Sequence, residues 1–185
     1  FGSCLSQDFT DVSNTFSREY LGVSGEQSDV DIAVMSVSSV MPDYIGELYA
    51  ERYFTEEAKQ NAEKMVDDII SVYKDRIKKL TWMSEETKKK ALNKLEKMNK
   101  KIGYPDEFET YLDNAEIKSF ADGGSCFDNI IQIAKAAKEE ALSYQGKTVD
   151  KTKWLMYPYT VNACYDVTSN DITFPAAILQ PPMYD

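Results

Sequence analysis

Apolar positions recur at intervals of three and four along most of the chain, and this spacing predicts helices. From Asp8 to Tyr20 the interval is kept by Phe9, Val12, Phe16 and Tyr20, with Gly22 and Gly25 behind them as terminators. Gln27 to Tyr53 repeats it through Val30, Val34, Val37, Met41, Ile45, Leu48 and Tyr49, and Pro42 divides that stretch into two helical pieces. The strongest stripe runs from Thr55 to Leu80. Thr55 caps it, Glu56 and Glu57 favour its N-terminus, and Ala58, Ala62, Met65, Val66, Ile69, Ile70, Tyr73 and Ile77 line one side. A second start signal, Ser84-Glu85-Glu86, opens a helix through Leu92, Leu95 and Met98, for which Lys100, Lys101 and Gly103 read as basic last turn and stop. These two helices are expected to form an antiparallel hairpin around Trp82.

The pattern changes after Ile102. Tyr104-Pro105-Asp106 breaks the helical interval, and the chain reads as irregular up to Asp122-Gly123-Gly124. Asp128 to Tyr144 is helical again through Ile130, Ile131, Ala134, Ala137 and Leu142, ending at Gly146. Thr160–Tyr165 and Asp171–Phe174 are short and β-prone, and the polar run Asp166-Val167-Thr168-Ser169-Asn170 between them reads as a hairpin turn. Pro175 and Pro181-Pro182 stop further sheet growth and mark an edge. The fold class that follows is mainly α with a small β-hairpin and edge-strand region. A lobe boundary is expected near Ile102, with residues 1–101 helical.

Composition adds exclusions. With 43% hydrophobic positions the chain has material for one ordinary domain or two small lobes. The net charge of −10 places acidic ends around a basic middle and disfavours nucleic acid and anionic membrane as partners. Lys88, Lys89, Lys90, Lys94, Lys97, Lys100 and Lys101 have no interleaved aromatics and read as a solvated helix face. No apolar run is long enough to cross a membrane. The opening Phe1-Gly2-Ser3-Cys4 has no initiator Met and no basic stretch before an apolar one, so no signal peptide is read there. Cys4, Cys126 and Cys164 lack C-x-x-C spacing and read as structural thiols.

The chain contains no histidine, which removes an H-E-x-x-H zinc helix, a Ser-His-Asp triad and a Cys-His pair from it. Asp166 to Asp171 looks superficially like a calcium loop, but Asp171 stands where glycine is needed and Ala177 where glutamate is needed. Gly123-Gly124 has no phosphate-loop context. Asp67-Asp68 and Glu139-Glu140 are adjacent on helices and so diverge by about 100°, too far to act as an acid/base pair.

Four runs carry a family resemblance. They are Gly46-Glu47-Leu48-Tyr49-Ala50-Glu51-Arg52-Tyr53-Phe54, Leu80-Thr81-Trp82-Met83-Ser84-Glu85-Glu86-Thr87, Lys101-Ile102-Gly103-Tyr104-Pro105-Asp106, and the C-terminal stretch from Thr160-Val161-Asn162-Ala163-Cys164-Tyr165-Asp166 to Phe174-Pro175-Ala176-Ala177-Ile178-Leu179-Gln180-Pro181-Pro182-Met183-Tyr184-Asp185. Together they resemble a middle segment of the neprilysin and endothelin-converting-enzyme family of zinc metallopeptidases, bacterial oligopeptidase O included. The resemblance implies a zinc-dependent endopeptidase or oligopeptidase acting on peptides, in which a helical lobe adjoins a thermolysin-like α+β catalytic lobe begun by residues 102–185. It implies that Asn162 and Ala163 sit on an edge strand and bind the substrate backbone. An unpaired strand edge offers N–H and C=O groups to an extended peptide, and the Asn side chain adds a donor and an acceptor. Ile178 and Met183 are implied to wall the pocket for the residue after the scissile bond. Cys164 and Met183 stand where the family usually has aromatics, and Ala177 where glycine is common, which alters the implied pocket. The zinc is implied to lie on a partner, the downstream C-terminal segment carrying H-E-x-x-H, so this chain alone is expected to be inactive and to hold no metal. The setting leans extracytoplasmic. A rival reading is a stand-alone, non-catalytic peptide-binding module, which would have to cover the apolar run Phe174–Met183 by itself.

Overall fold

The structure, a computed structural model, describes residues 6–25, 28–113 and 115–184. Cys4, Gln27 and Asp185, named above for a thiol, a helix start and the end of a matching run, lie outside the described residues. Along the chain run α1 (Gln7–Glu19), α2 (Asp29–Val40), α3 (Pro42–Tyr53), α4 (Glu56–Lys79), α5 (Glu85–Glu96), β1 (Asn99–Gly103), α6 (Cys126–Ser143), β2 (Cys164–Asp166) and β3 (Asp171–Pro175). Contacts group them into two compact units of separated segments: the chain up to Pro42 with Glu109–Thr148, and Asp43–Phe108 with the chain from Val149 onward. The boundary expected at 101/102 falls inside β1, whose partner strand comes late in the sequence; local spacing holds no information on which distant segment returns to pair.

The first unit is helical. A capping box starts α2, where Ser28 Oγ accepts from Asp31 N at 3.1 Å and the Asp31 carboxylate accepts from Ser28 N. Helix α6 begins two residues before the expected Asp128 because Ser125 Oγ caps it, accepting from Asp128 N at 3.1 Å. Asn129 on α6 accepts from Lys118 N and donates to Lys118 O, tying the preceding loop to the helix. The Gly123-Gly124 pair serves that loop: Gly123 has φ +79°, and a Cβ on Gly124 would lie 2.3 Å from Lys118 O. The α1 stripe forms as its spacing predicts, yet Phe9, Val12, Phe16 and Tyr20 all remain exposed.

In the second unit, α4 and α5 pack on one another, α4 also packs on β1, and the sheet has the order β1-β3-β2. Thr55 caps α4 as expected, its Oγ1 accepting from Ala58 N at 3.1 Å. The apolar stripe of α4 splits. Ala62 is buried and Val66, Ile70 and Ile77 are half-buried, while Met65, Ile69 and Tyr73 stay exposed and line, with Val72, a surface groove along the helix. Trp82 is 76% exposed and so is not the centre of the α4–α5 hairpin. On α3 the buried positions are Gly46 and Ala50 rather than Leu48, because small residues allow close approach of the chain packed there.

The expected β2–β3 hairpin is present and antiparallel, with Cys164 opposite Thr173 and Asp166 opposite Asp171. β1 was not expected. Helix α5 ends at Glu96, and Asn99–Gly103 runs parallel to β3 with Lys101 opposite Thr173, so Lys100 and Lys101 are strand residues and not a basic last turn. The sequence Asn-Lys-Lys-Ile-Gly has no strand periodicity; pairing with β3 makes it a strand. Lys101 is thereby withdrawn from the solvated lysine face and buried.

Among the described residues no helix is long and apolar enough to cross a membrane.

Candidate functional site

The four residues assigned to peptide binding all belong to the second unit and flank the β2–β3 hairpin. Asn162 and Ala163 lie immediately before β2, exposed, rather than within it. Asn162 N donates to Thr160 O at 3.0 Å, and Asn162 Oδ1 accepts from Ala163 N at 2.8 Å, so the asparagine folds back on its own backbone. β2 is an edge strand: it pairs with β3 on one side, and no described strand pairs with its other side. Because β2 is antiparallel to β3, its start lies at the end of β3, where the 176–183 turn begins. Ile178 is half-buried in that turn, its N–H donating to Pro175 O at 3.2 Å, and Met183 is 69% exposed further on, its N–H donating to Gln180 O at 2.9 Å. The run from Phe174 to Gln180 is covered or half-covered by the chain itself, whereas Pro181 to Met183 is not.

Helix α3 sets the position of both flanks. Pro158 packs on Gly46 so closely that a Cβ there would lie 2.7 Å from Pro158 Cδ and 3.3 Å from Cγ. Pro158 O accepts from Ala177 N at 2.9 Å, joining the segment that leads to Asn162 to the turn that carries Ile178. Gln180 Nε2 donates to Tyr49 Oη at 3.0 Å, returning the same turn to α3. Beside Pro158, Tyr157 and Tyr159 stack with ring centroids 5.7 Å apart. Burial first, then the Asp43 charge, pushes the Tyr157 hydroxyl above its ordinary range.

A charged network holds the hairpin from below. Lys101 Nζ donates to Asp171 Oδ2 at 2.6 Å and to Lys153 O at 2.6 Å, with the Lys101 side chain 5% exposed and that of Asp171 fully buried. Ser169 Oγ is within hydrogen-bond reach of Asp171 Oδ2 and Asp166 Oδ2. Asp166 Oδ1 accepts from Thr168 N and Oγ1, and these bonds hold its carboxyl below the ordinary range. The loop that resembled a calcium site is thus a self-capped turn. Asn170 closes it at φ 55°, its Nδ2 donating to Lys94 O at 3.0 Å and its Oδ1 accepting from Tyr165 Oη. Sequence reasoning missed Lys101, Asp171, Asn170, Gly46 and Pro158. The sequence signals that touched them were the matching runs around Gly46 and Lys101, which did not reveal the partners.

Zinc does not fit these residues. The sequence has no histidine, and among the described residues no three Cys, Asp or Glu side chains come together as metal donors. Cys126 is exposed, Cys164 is half-buried, and no disulfide joins them.

β2 leaves one edge unpaired next to the 176–183 turn, and among the described residues no group of metal donors comes together. The family model described as peptidase family M13 matches residues 1–105. The neutral endopeptidase of Lactobacillus helveticus is 38% identical over 181 residues, covering 98% of this chain and 28% of that protein. The cryo-EM structure of the zinc metalloprotease Zmp1 of Mycobacterium tuberculosis in its open state aligns over the whole chain with a TM-score of 0.84 and 32% identity, and 28% of that protein is covered. PepO from Lactobacillus rhamnosis gives 0.83 and 32%, with 29% covered. The chain belongs to peptidase family M13. It spans 28% of the length of the Lactobacillus helveticus relative.

Proposed function

We propose that this chain is part of a zinc-dependent endopeptidase or oligopeptidase, to which it supplies the peptide-binding edge and one pocket wall. The observation that carries the proposal is the open side of β2 with exposed Asn162 and Ala163 at its start, where an extended peptide can add as a strand. In that role a substrate carbonyl accepts from Asn162 Nδ2, and the Ala163 N–H exchanges its bond to Asn162 Oδ1 for one to the peptide. Ile178 and Met183 contact the side chain after the scissile bond. Zinc would supply the Lewis acid and activated water of such an enzyme, from an H-E-x-x-H helix on a C-terminal segment beyond these residues.

The unit containing β2 belongs, on this reading, to the catalytic lobe, and the all-helical unit to the second lobe. A module would cover its apolar faces; here Phe9, Phe16, Met65 and Met183 are open.

The test is cleavage of a quenched peptide by the complete protein and by its Asn162→Ala variant. Losing one neutral hydrogen bond raises KM about 3–10-fold with kcat held. A complete protein that cleaves no peptide, or an Asn162→Ala variant with unchanged KM, rejects the proposal.

A further inference from the structure

We propose that Lys101 and Asp171, with Asn170 as a second tether, are positioning residues for the peptide-binding edge. This rests on the reading of Asn162 and Ala163 given above. One ammonium grips both ends of the segment that carries them. At its start Lys101 Nζ holds Lys153 O, and at its end it holds Asp171 Oδ2, both at 2.6 Å. Everything between, from the Trp154–Val161 loop through Asn162, β2 and the turn, is a loop closed through a single buried cation. Asn170 fixes the turn against the end of α5 by its bond to Lys94 O, and Asn99 N donates to Asn170 O at 3.0 Å, so the hairpin is registered on β1 as well. Lys94 Nζ lies 5.1 Å from the Tyr165 ring centre, on the strand that Asn162 leads into.

Such a pair does not need to be charged for stability, because a buried ion pair is replaceable by apolar residues of similar volume at little cost. What an apolar pair cannot do is donate to Lys153 O. Fold and position therefore separate experimentally. In the complete protein, Lys101→Met alone leaves the Asp171 carboxylate buried without its cation and lowers the melting temperature. The double variant Lys101→Met/Asp171→Leu melts close to wild type but leaves the 153–163 segment loosely placed. We expect its KM for a quenched peptide to rise about tenfold, equivalent to about 1.4 kcal/mol, with kcat within about twofold.

Asn170→Gly keeps the left-handed backbone without strain and removes the side-chain bonds to Lys94 O and from Tyr165 Oη, so it serves if the double variant does not fold. Its KM should rise about 3–10-fold, the range expected when these two exposed hydrogen bonds are lost. Asn162→Ala is run in the same assay. If Asn162→Ala raises KM while a folded double variant, or Asn170→Gly in its place, keeps the wild-type KM, the positioning role is overturned and the edge reading stands. If Asn162→Ala itself leaves KM unchanged, the edge reading falls and this proposal falls with it.

Discussion

At Gly46, inside α3, the space for one added methyl is already taken by Pro158. Glycine inside a helix is ordinarily a weakness, and replacing it with alanine gains about 1 kcal/mol of helix propensity. At Gly46 the added methyl meets Pro158 Cδ at 2.7 Å and Cγ at 3.3 Å, and the pyrrolidine ring has no rotamer by which to withdraw. Overpacking of this kind costs about 1–3 kcal/mol, so the clash outweighs or cancels the propensity gain. The strain is relieved by lifting Pro158 off α3, and the bond that reports this is Ala177 N–H to Pro158 O at 2.9 Å.

Native-state hydrogen exchange reads that bond directly. In Gly46→Ala the Ala177 amide should exchange about 5–30-fold faster, corresponding to 1–2 kcal/mol. The neighbouring Ala176 amide, which donates to Gly103 O at 2.8 Å, should be unchanged. Pro158→Ala removes the ring, so in that background Gly46→Ala should show only the helix gain, and the cycle should give a coupling of about 1–3 kcal/mol. Gly46→Ala that leaves Ala177 protection intact in the wild-type background would refute the account of how α3 places the 158–163 segment.

Three further outcomes are expected. Thr55→Ala deletes the side-chain acceptor of Ala58 N and should destabilise α4 by about 1 kcal/mol, visible as faster exchange of the first-turn amides, with Thr55→Ser restoring them. Burial, and then the bond its hydroxyl donates to Glu56, pushes Tyr104 up to about 12; its folded-state contribution is complete below the ordinary 10.0 and is lost as pH rises through 12, and an ultraviolet phenolate titration that loses this late step in Tyr104→Phe checks it. The same substitution removes the largest cause holding Glu56 below 4.5, so the Glu56 carboxyl should titrate higher by NMR. For Asp166 the sign is opposite: bonds from Thr168 lower it, so the turn is fully supported above 3.8 and loosens as pH falls below that, an acid-side loss of Thr168 amide protection that Asp166→Asn should not show.

What the sequence made legible is what local chemistry decides. Thr55 with two glutamates behind it starts a helix wherever it falls, Pro42 interrupts one, and a polar five-residue run between two β-prone segments turns back. The unread parts depend on partners far along the chain. Asn99–Gly103 is a strand because β3 returns to it, and Lys101 is a buried clamp because Asp171 and Lys153 O arrive there; its own neighbours in sequence describe a solvated lysine run. Gly46 was visible only as part of a matching run, and its reason is a proline in the other half of the chain. For the same reason a boundary drawn between neighbouring residues could not describe two units that each use early and late segments.

The helical stripes carry a different lesson about the candidate site. Spacing correctly located α1 and α4, and the usual inference from an apolar stripe is a buried face. Here the stripe of α1 is exposed throughout, and α4 has two apolar faces, one turned to α5 and β1, the other presenting Met65, Ile69, Val72 and Tyr73 to solvent. Periodicity reports that a face will be covered without reporting by what. On α4 the side turned to α5 and β1 is covered, and the side of Met65, Ile69, Val72 and Tyr73 is open among the described residues. The open α4 face and the unpaired edge of β2 are the two features on which the proposed substrate-binding role rests.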